Sequence, residues 1–413
     1  MNHPAMVVVG GTYGEECAFP RRQSYRGSGG RAAALLASLG AQVTLETYVG
    51  PQLGPIMKAI AGDLGYTLNA RQTSHDIWFR YRFPLGKPTI HYGSKHPSKA
   101  LQPIRTDAAL VFGMIEGRPI VHAKRVIYDP QDGANSRPFE SNHSTAEELA
   151  LVMSCADGQA LTGERDPEHI ANALIQQSNV TAVVMKCGVR GAFVRTRQSD
   201  SWIRPFPTRR VYKIGSGDAF AAAFAFAWLV EGRDAVAAAW FASRIAAAYV
   251  ELGHEQIDSA NLPAYRTEAL TASAQFAEED RRTIPDTQIY LAGPFFHTSE
   301  QWMIDEVRGV LMEMGFRVFS PIHDVGTGAP EEVGPADLFG LEQCGVVLAI
   351  LDGLDAGTIF EVGYARAKGI PVVAVAESVD PKALTMMIGS GCEMTDDLTT
   401  GVYAACWHLM GDV

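Results

Sequence analysis

The sequence predicts two α/β domains in one chain, and three observations carry that reading. At 413 residues the chain is more than twice the usual length of a single domain. Apolar runs that end in glycine alternate with alanine-rich helical stretches, the rhythm of a mostly parallel sheet with covering helices. A polar, charged stretch at 266–286 separates two strongly patterned regions and reads as a linker. Domains are therefore expected at 1–265 and 287–413.

In chain order, MVVVGG (6–11) is a short apolar strand, and Gly29 to Gly40 opens a helix. Residues 70–95, with IWFRYRF and TIHYG, alternate apolar and polar and predict a hairpin that could serve as a lid. The strand-then-helix rhythm recurs at RVIYDP (125–130), TAVVMKCG (181–188) and the helix after Gly217. Beyond the linker come a strand at Gln288–Ala292, a helix near 299–315 and the strand FRVFS. A helix near 335–344, the strand VVLAIL (346–351), a helix near 358–368 and the strand PVVAVA complete the pattern. That predicts a smaller doubly wound parallel-sheet unit.

Apolar residues make up 47% and charged residues 20%, with 40 Gly and 22 Pro, which excludes disorder, collagen and coiled coil. The formal charge of −11 gives no positive field for a nucleic acid polymer. The longest apolar run, Ala219 to Val230, has 12 residues, against about 20 for a bilayer span, so no membrane is expected. The first residues run straight into a strand with no signal pattern. Six scattered cysteines without CxxC pairing favour reduced thiols over disulfides or zinc, and hence a cytoplasmic location.

In the second domain VVLAIL runs into DGLDAGTIFEVGYARAKG (352–369), so Asp352 and Asp355 fall on the loop beyond a strand and Glu361 on the following helix. Carboxylates gather at the edge where open α/β folds bind ligands. Asp355 also suits a helix N-cap. Glu361, flanked by Phe360, Val362 and Tyr364, reads as a semi-buried carboxylate that needs a reason.

Four segments, IYLAGPFF (289–296), ADLFGLEQCGVVLAILDG (336–353), DAGTIFEVGYA (355–365) and LTMMI (384–388), make 287–413 resemble the nucleoside 2-deoxyribosyltransferases and their relatives that hydrolyse nucleoside 5′-monophosphates. The resemblance implies a flavodoxin- or Rossmann-like fold with Glu361 as the nucleophile on the anomeric carbon. It implies Asp355 and Asp337 at the departing base, Tyr290 orienting Glu361, and Gly293, Pro294, Phe295 and Phe296 around the base. Plainer readings stand beside these: core for Phe295 and Phe296, an ordinary strand residue at 290, a helix-dipole partner at 337. Where the transferases place an asparagine from a neighbouring subunit, this chain has Thr385, with Met387 two residues on. Thr385 leaves nucleotide hydrolysis open beside base exchange. No cofactor is implied for this half, and a homo-oligomer is.

KIGSGDAFAAAFAF (213–226) puts small residues and an aspartate at a helix start, where backbone amides can hold a phosphate. With GSGGRAAALLASLGA (27–41), the DP at 129–130, ALTGERD (160–166) and VVMKCGVRGAFV (183–194), residues 1–265 resemble the pfkB carbohydrate and nucleoside kinases. That implies a ribokinase-like α/β/α sandwich with a small β lid, Asp218 as catalytic base and an anion hole at Gly215, Ser216 and Gly217. ATP and Mg²⁺ are implied, with Lys186 and Asp157 on the cofactor side. Several family positions have changed. The first sugar-loop acid is Glu15, the asparagine of the glycine-rich helix is Arg31, the acid after Val49-Gly50 is replaced by Pro51-Gln52, and Ser154 and Asp157 occupy the Asn-x-x-Glu region. Tyr212, Lys213 and Ile214 replace the usual Asp-Thr-Thr. Arg31 is either a contact to a different, already phosphorylated ligand or a surface charge. The expected function is a bifunctional salvage enzyme acting on a small nucleoside, nucleotide or ribosyl sugar: glycosidic chemistry at Glu361, phosphorylation at Asp218. The alternative is a sensor whose first domain only binds a ligand and regulates the second.

Overall fold

The computed structural model describes residues 5–92, 100–276 and 281–413, and the chain divides into two compact units. The first is Met1–Thr208 with Tyr212–Arg282, the second Arg209–Val211 with Thr283–Val413. Of the expectations above, the hairpin's end at 93–95 and linker residues 277–280 lie outside the described residues.

The first unit contains β1 (Ala5–Val9), β2 (Gly14–Cys17), β3 (Arg22–Tyr25), α1 (Gly27–Ser38), β4 (Gln42–Val49), α2 (Leu53–Leu64), β5 (Thr67–Gln72), β6 (Trp78–Tyr81) and β7 (Thr89–His91). It continues through β8 (Ile104–Phe112), β9 (Val121–Asp129), β10 (Thr145–Ser154), α3 (Cys155–Thr162), α4 (Pro167–Leu174) and β11 (Val180–Lys186). The closing elements are β12 (Ala192–Thr196), β13 (Asp200–Ile203), α5 (Ser216–Ala225), α6 (Ala235–Leu252) and α7 (Leu262–Gln275). Nine strands make one sheet in the order β13-β12-β11-β10-β9-β8-β1-β4-β5. Pairing is parallel from β5 to β11 and antiparallel at β12 and β13. Val8 sits between Leu45 and Leu110 and is fully buried, as apolar runs covered on both faces require. The strand order reverses between β1 and β8, so a crevice opens beyond their carboxyl ends.

Three expectations change here. The strand-helix rhythm stops after β8: β8, β9 and β10 succeed one another with only short 3-10 turns, because Gly113, Gly117, Pro119, Pro130, Gly133 and Pro138 break helices in the connections. The lid is larger than a hairpin. β6 and β7 form one, and with β2 and β3 they make a separate sheet ordered β3-β2-β6-β7, while β5 joins the main sheet. The expected linker begins as α7, which buries Leu262, Ala269 and Ala272 in the same core cluster as α6. Alanine at the packing positions lets an otherwise polar helix lie close. Helix α6 is long and apolar enough by length and composition to cross a membrane. It is a core helix of this unit, with Trp240, Phe241 and Ile245 buried.

The second unit contains β14 (Gln288–Ala292), α8 (Thr298–Glu313), β15 (Val318–Phe319), α9 (Pro321–Asp324), α10 (Pro330–Glu342) and β16 (Cys344–Ile350). After these come α11 (Ala356–Ala367), β17 (Val372–Val375), α12 (Thr385–Gly389), β18 (Glu393–Thr395) and α13 (Leu398–Met410). All five strands are parallel, ordered β15-β14-β16-β17-β18. This is the doubly wound order 2-1-3-4-5, with its switch point between β14 and β16. Helix α10 starts five residues before the expected 335, at Pro330, and carries Pro335 inside. Proline suits a first turn, the place that Pro330 fills.

Candidate active sites

At the switch point of the second unit, β14 carries Tyr290 and β16 leads into the loop before α11, which carries Glu361. Tyr290 is fully buried and stacks on Phe319, ring centroids 5.4 Å apart. Its Oη donates to Glu361 Oε1 at 2.6 Å, so it is no ordinary strand residue. Burial pushes Glu361 up to about 7; the Tyr290 hydrogen bond opposes this, and the charges of Asp337 and Asp355 add to the rise. Those two carboxylates are thus close enough to act on Glu361 through space. Burial also raises Asp337, and its Oδ1 is sheltered with no hydrogen-bond partner. Asp337 lies in the second turn of α10, while the first-turn acids are Glu331 and Glu332, so the helix-dipole reading of Asp337 does not hold. Asp355 caps α11, its Oδ2 accepting from the Thr358 amide at 2.7 Å and hydroxyl at 2.9 Å. It fills the capping role and also borders Glu361.

The remaining residues of this site divide by burial. Gly293 and Pro294 are buried behind β14, Phe295 is half-buried and Phe296 is 66% exposed. Their rings meet at 5.0 Å, and Glu300 Oε2 fixes the turn by accepting from the Phe296 and His297 amides. Phe296 is therefore not core. Met387 is: it is 6% exposed and shares a core cluster with Tyr290, Leu341 and Val362. Thr385 is exposed and its hydroxyl donates to the Lys382 carbonyl at 2.9 Å. Asp352 braces a loop, accepting from the Glu377 and Ser378 amides and the Ser378 hydroxyl.

In the first unit, a cleft of about 240 Å³ is lined by residues including Tyr13, Glu15, Arg31, Tyr81, Gly217 and Asp218. Gly29 lets α1 press against β1, since a Cβ there would lie 2.5 Å from the Gly10 carbonyl oxygen. Two residues on, Arg31 is 2% exposed. It is no surface charge. Its guanidinium pairs with Glu15 and, at 2.7 Å, with Asp218 Oδ2, and Glu255 stands at 3.8 Å. Burial works against its charge, and Glu15, then Tyr249, Asp218 and Glu255, outweigh it, so the group stays cationic. Gly215 has φ +80, and a Cβ on it would meet Arg31 Nε at 2.1 Å. Only glycine fits there, on both counts.

Asp218, in the first turn of α5, is held at both oxygens: Arg31 Nη1 on Oδ2 and Gln131 Nε2 on Oδ1 at 2.6 Å. Lys213 Nζ reaches Ser216 Oγ at 3.1 Å; burial, then Lys186, lower its pKa against the pull of Asp218. Lys186 pairs with Asp129, and a Cβ on Gly217 would lie 3.5 Å from its Nζ. Two ammonium groups and the amino end of α5 thus meet at Gly215, Ser216 and Gly217, which suits a polyphosphate. A protein-held magnesium ion fits less well. Asp157 is spent as a brace, accepting from Ser154, Ser136 and the Asp132 and Gly133 amides. Among the described residues no group of three or more His, Cys, Asp or Glu could hold a metal ion. Gln131 is not announced by the sequence, and Lys213 is announced only as a departure from the usual Asp-Thr-Thr. Gln131 follows the DP pair with φ +49, a loop conformation that its neighbours in sequence do not announce.

Residues 289–397 match the family model for nucleoside 2-deoxyribosyltransferase, and 142–260 match that for the pfkB family of carbohydrate kinases. No curated protein matches the chain. Among solved structures, fructokinase from Vibrio cholerae O395, in its fructose-, ADP- and calcium-bound form, is 14% identical with a TM-score of 0.50. That match covers 64% of this chain and 99% of that one. The Methanocaldococcus jannaschii nucleoside kinase is 15% identical, with 65% and 99% coverage and a TM-score of 0.47. The Escherichia coli phosphofructokinase-2, in its tetrameric inhibited form, is 14% identical, with 64% and 99% coverage and a TM-score of 0.48. The fructokinase likeness shows the ribokinase-like fold. The chain thus joins a ribokinase-like pfkB segment to a nucleoside 2-deoxyribosyltransferase-like segment in one polypeptide.

Proposed function

We propose that the second unit cleaves or exchanges the N-glycosidic bond of a nucleoside, deoxynucleoside or its 5′-monophosphate. The observation that carries this is the 2.6 Å hydrogen bond from Tyr290 Oη to Glu361 Oε1, beside Asp337 and Asp355 at a parallel-sheet switch point. Ionised Glu361 attacks the anomeric carbon as the carbon–nitrogen bond breaks. The base leaves with the bonding electron pair and takes a proton from the Asp337 and Asp355 side. A second base or water then displaces Glu361, so two inversions retain configuration. Phe295 and Phe296 supply apolar surface for a base, and Thr385 a hydroxyl for the 5′ end. The test is release of free base from a mixed nucleoside and nucleotide pool. Glu361→Ala abolishes release with the fold intact; undiminished release by that variant ends the assignment.

For the first unit the expected activity is ATP-dependent phosphorylation of a sugar or nucleoside through Asp218, with a divalent metal as pfkB-type kinases typically need. A specific observation favours the second reading, a ligand-binding unit that regulates glycosidic chemistry: Arg31 and Gln131 occupy both oxygens of the required base. A donor on each oxygen leaves one lone pair apiece for an incoming hydroxyl, so the two bonds narrow the approach to the base. ATP turnover across ribose, deoxyribose and nucleosides separates the two, since a sensor binds without turnover. In both readings the ligand is a small molecule and the assembly a homo-oligomer in the cytoplasm.

A further inference from the structure

Six cysteines are free in the chain, and two of them meet. Cys155 opens α3 directly after β10, and Cys187 directly follows β11. The parallel pairing of these strands ends with Ser154 opposite Lys186, so the two cysteines continue the register by one step. Neighbouring strands lie about 4.8 Å apart, inside the Cα separation of roughly 4.4–6.8 Å that a disulfide spans. The two Sγ atoms are already 3.7 Å apart, and both residues are only half-buried, so a small oxidant can reach them. Each sulfur has weak carbonyl contacts nearby, Cys155 to Lys186 and Cys187 to Met185, none of which blocks the approach of one sulfur to the other.

We infer that Cys155 and Cys187 form a reversible dithiol–disulfide site, a modification site at the edge of the pfkB-like cleft. The pair is chemically asymmetric. The hydrogen bond from Cys187 lowers the Cys155 thiol below its usual range, with Arg190 assisting against burial. The same contact, followed by burial, raises Cys187. Cys155 is the attacking sulfur. Its thiolate displaces one glutathione thiolate from glutathione disulfide, giving a mixed disulfide on Cys155. The Cys187 sulfur, losing its proton, then attacks Cys155 Sγ and expels the second glutathione. Two protein thiols lose two electrons, glutathione disulfide gains them, and the two thiol protons end on two glutathione molecules.

The location couples the bond to the cleft. Cys187 adjoins Lys186, which pairs with Asp129. Cys155 sits inside the Ser154–Asp157 capping box, whose carboxylate holds the loop after Gln131. A cross-link ties the residue beside Lys186 to the capping box that holds the loop after Gln131.

The test uses the full chain in glutathione redox buffers, with alkylation, trypsin and mass spectrometry without reductant. Trypsin spares the Arg137–Pro138 bond, so Cys155 lies in the peptide 126–165 and Cys187 in 187–190, each with no other cysteine. The expected result is a linked pair of these peptides, two hydrogen atoms lighter than their sum, that dithiothreitol separates. In Cys187→Ser the mixed glutathione disulfide on Cys155 persists instead. Two separately alkylated peptides in oxidising buffer overturn the inference, as does a wild-type chain that stops at a stable glutathione adduct. The wild-type outcome alone decides if a variant fails to fold, and it is independent of either functional reading.

Discussion

Removing the Tyr290 hydroxyl tests the glycosidic site at its most sensitive point. Glu361 stands near pKa 7 because burial, aided by Asp337 and Asp355, favours its neutral form, while the bond from Tyr290 favours the charged one. A hydrogen bond to a charged acceptor is worth about 1.5–3 kcal/mol, and about 1.4 kcal/mol corresponds to one pKa unit. Tyr290→Phe therefore moves Glu361 upward by about one to two units. In the wild-type chain about half of Glu361 is ionised at pH 7; in the variant roughly one to ten per cent is, so base release falls on the order of five- to fiftyfold there. The loss narrows as pH approaches 9, where the carboxylate ionises again. The measurement is kcat/KM for base release between pH 5.5 and 9.5, with a nucleoside whose base does not titrate in that range, because this parameter reports the free enzyme. A wild-type acid limb near 4.5 refutes the buried nucleophile. A Tyr290→Phe profile lowered equally at every pH refutes the electrostatic role and leaves the hydroxyl only a positioning one.

The same shift makes a stability prediction. The folded pKa of Glu361 lies above its unfolded value of 4.5, so the native state binds more protons between the two, and the cost of the ionised carboxylate is felt above pH 7 and vanishes below 4.5. Glu361→Gln removes that cost: it raises thermal stability at pH 8, by at most on the order of 3 kcal/mol, and the gain closes only below pH 4.5; equal melting curves at pH 8 contradict it. In the first unit, Arg31→Met removes the cation paired with Glu15 and Asp218 and leaves Glu255 only Arg26, which costs about 3–5 kcal/mol and lowers the unfolding temperature by roughly 10 °C. Arg31→Lys loses less because one charge remains. A methionine variant as stable as wild type at pH 7 removes the case that Arg31 is an internal counter-ion.

What the residues announced was whatever local physics fixes. The strands β14, β16 and β17 are apolar runs buried on both faces, and each declares itself without reference to the rest of the chain. The spacing of Ser154 and Asp157 is that of a capping box, and the structure makes it one; the alignment with a cofactor-side acid drew attention from the plainer local signal. The lid strands β2 and β3 were silent because GEEC and RQSY are short and lack an apolar run; they pair with each other, and β2 is joined to the rest of the lid by a segment some sixty residues away. The same limit hid Gln131 and the stacking of Phe319 on Tyr290. A glutamine in a loop becomes a partner of Asp218 only when β9 and α5 are set side by side, and the strand legible at FRVFS does not say which ring Phe319 meets.

The two carboxylates at the switch points now differ in a way that bears on what each can do. Glu361 is held by one neutral donor, which can stay in place whether the carboxylate is charged or protonated, and burial sets its proton equilibrium near neutrality. A group so placed can form and release a covalent bond without a rearrangement of its neighbours. Asp218 is held by a permanent cation and an amide. Each oxygen keeps a second lone pair for an incoming hydroxyl, but Arg31 also holds Glu15 and neighbours Glu255, so its departure would strand buried negative charge. Chemistry at Asp218 thus demands a ligand that fits beside the guanidinium or replaces its contacts as it enters, whereas chemistry at Glu361 demands only the substrate. A ligand that binds the first unit must bring positive charge or hydrogen-bond donors of its own to displace Arg31. Otherwise it leaves Arg31 in place and meets the phosphate corner formed by Lys186, Lys213 and Ser216.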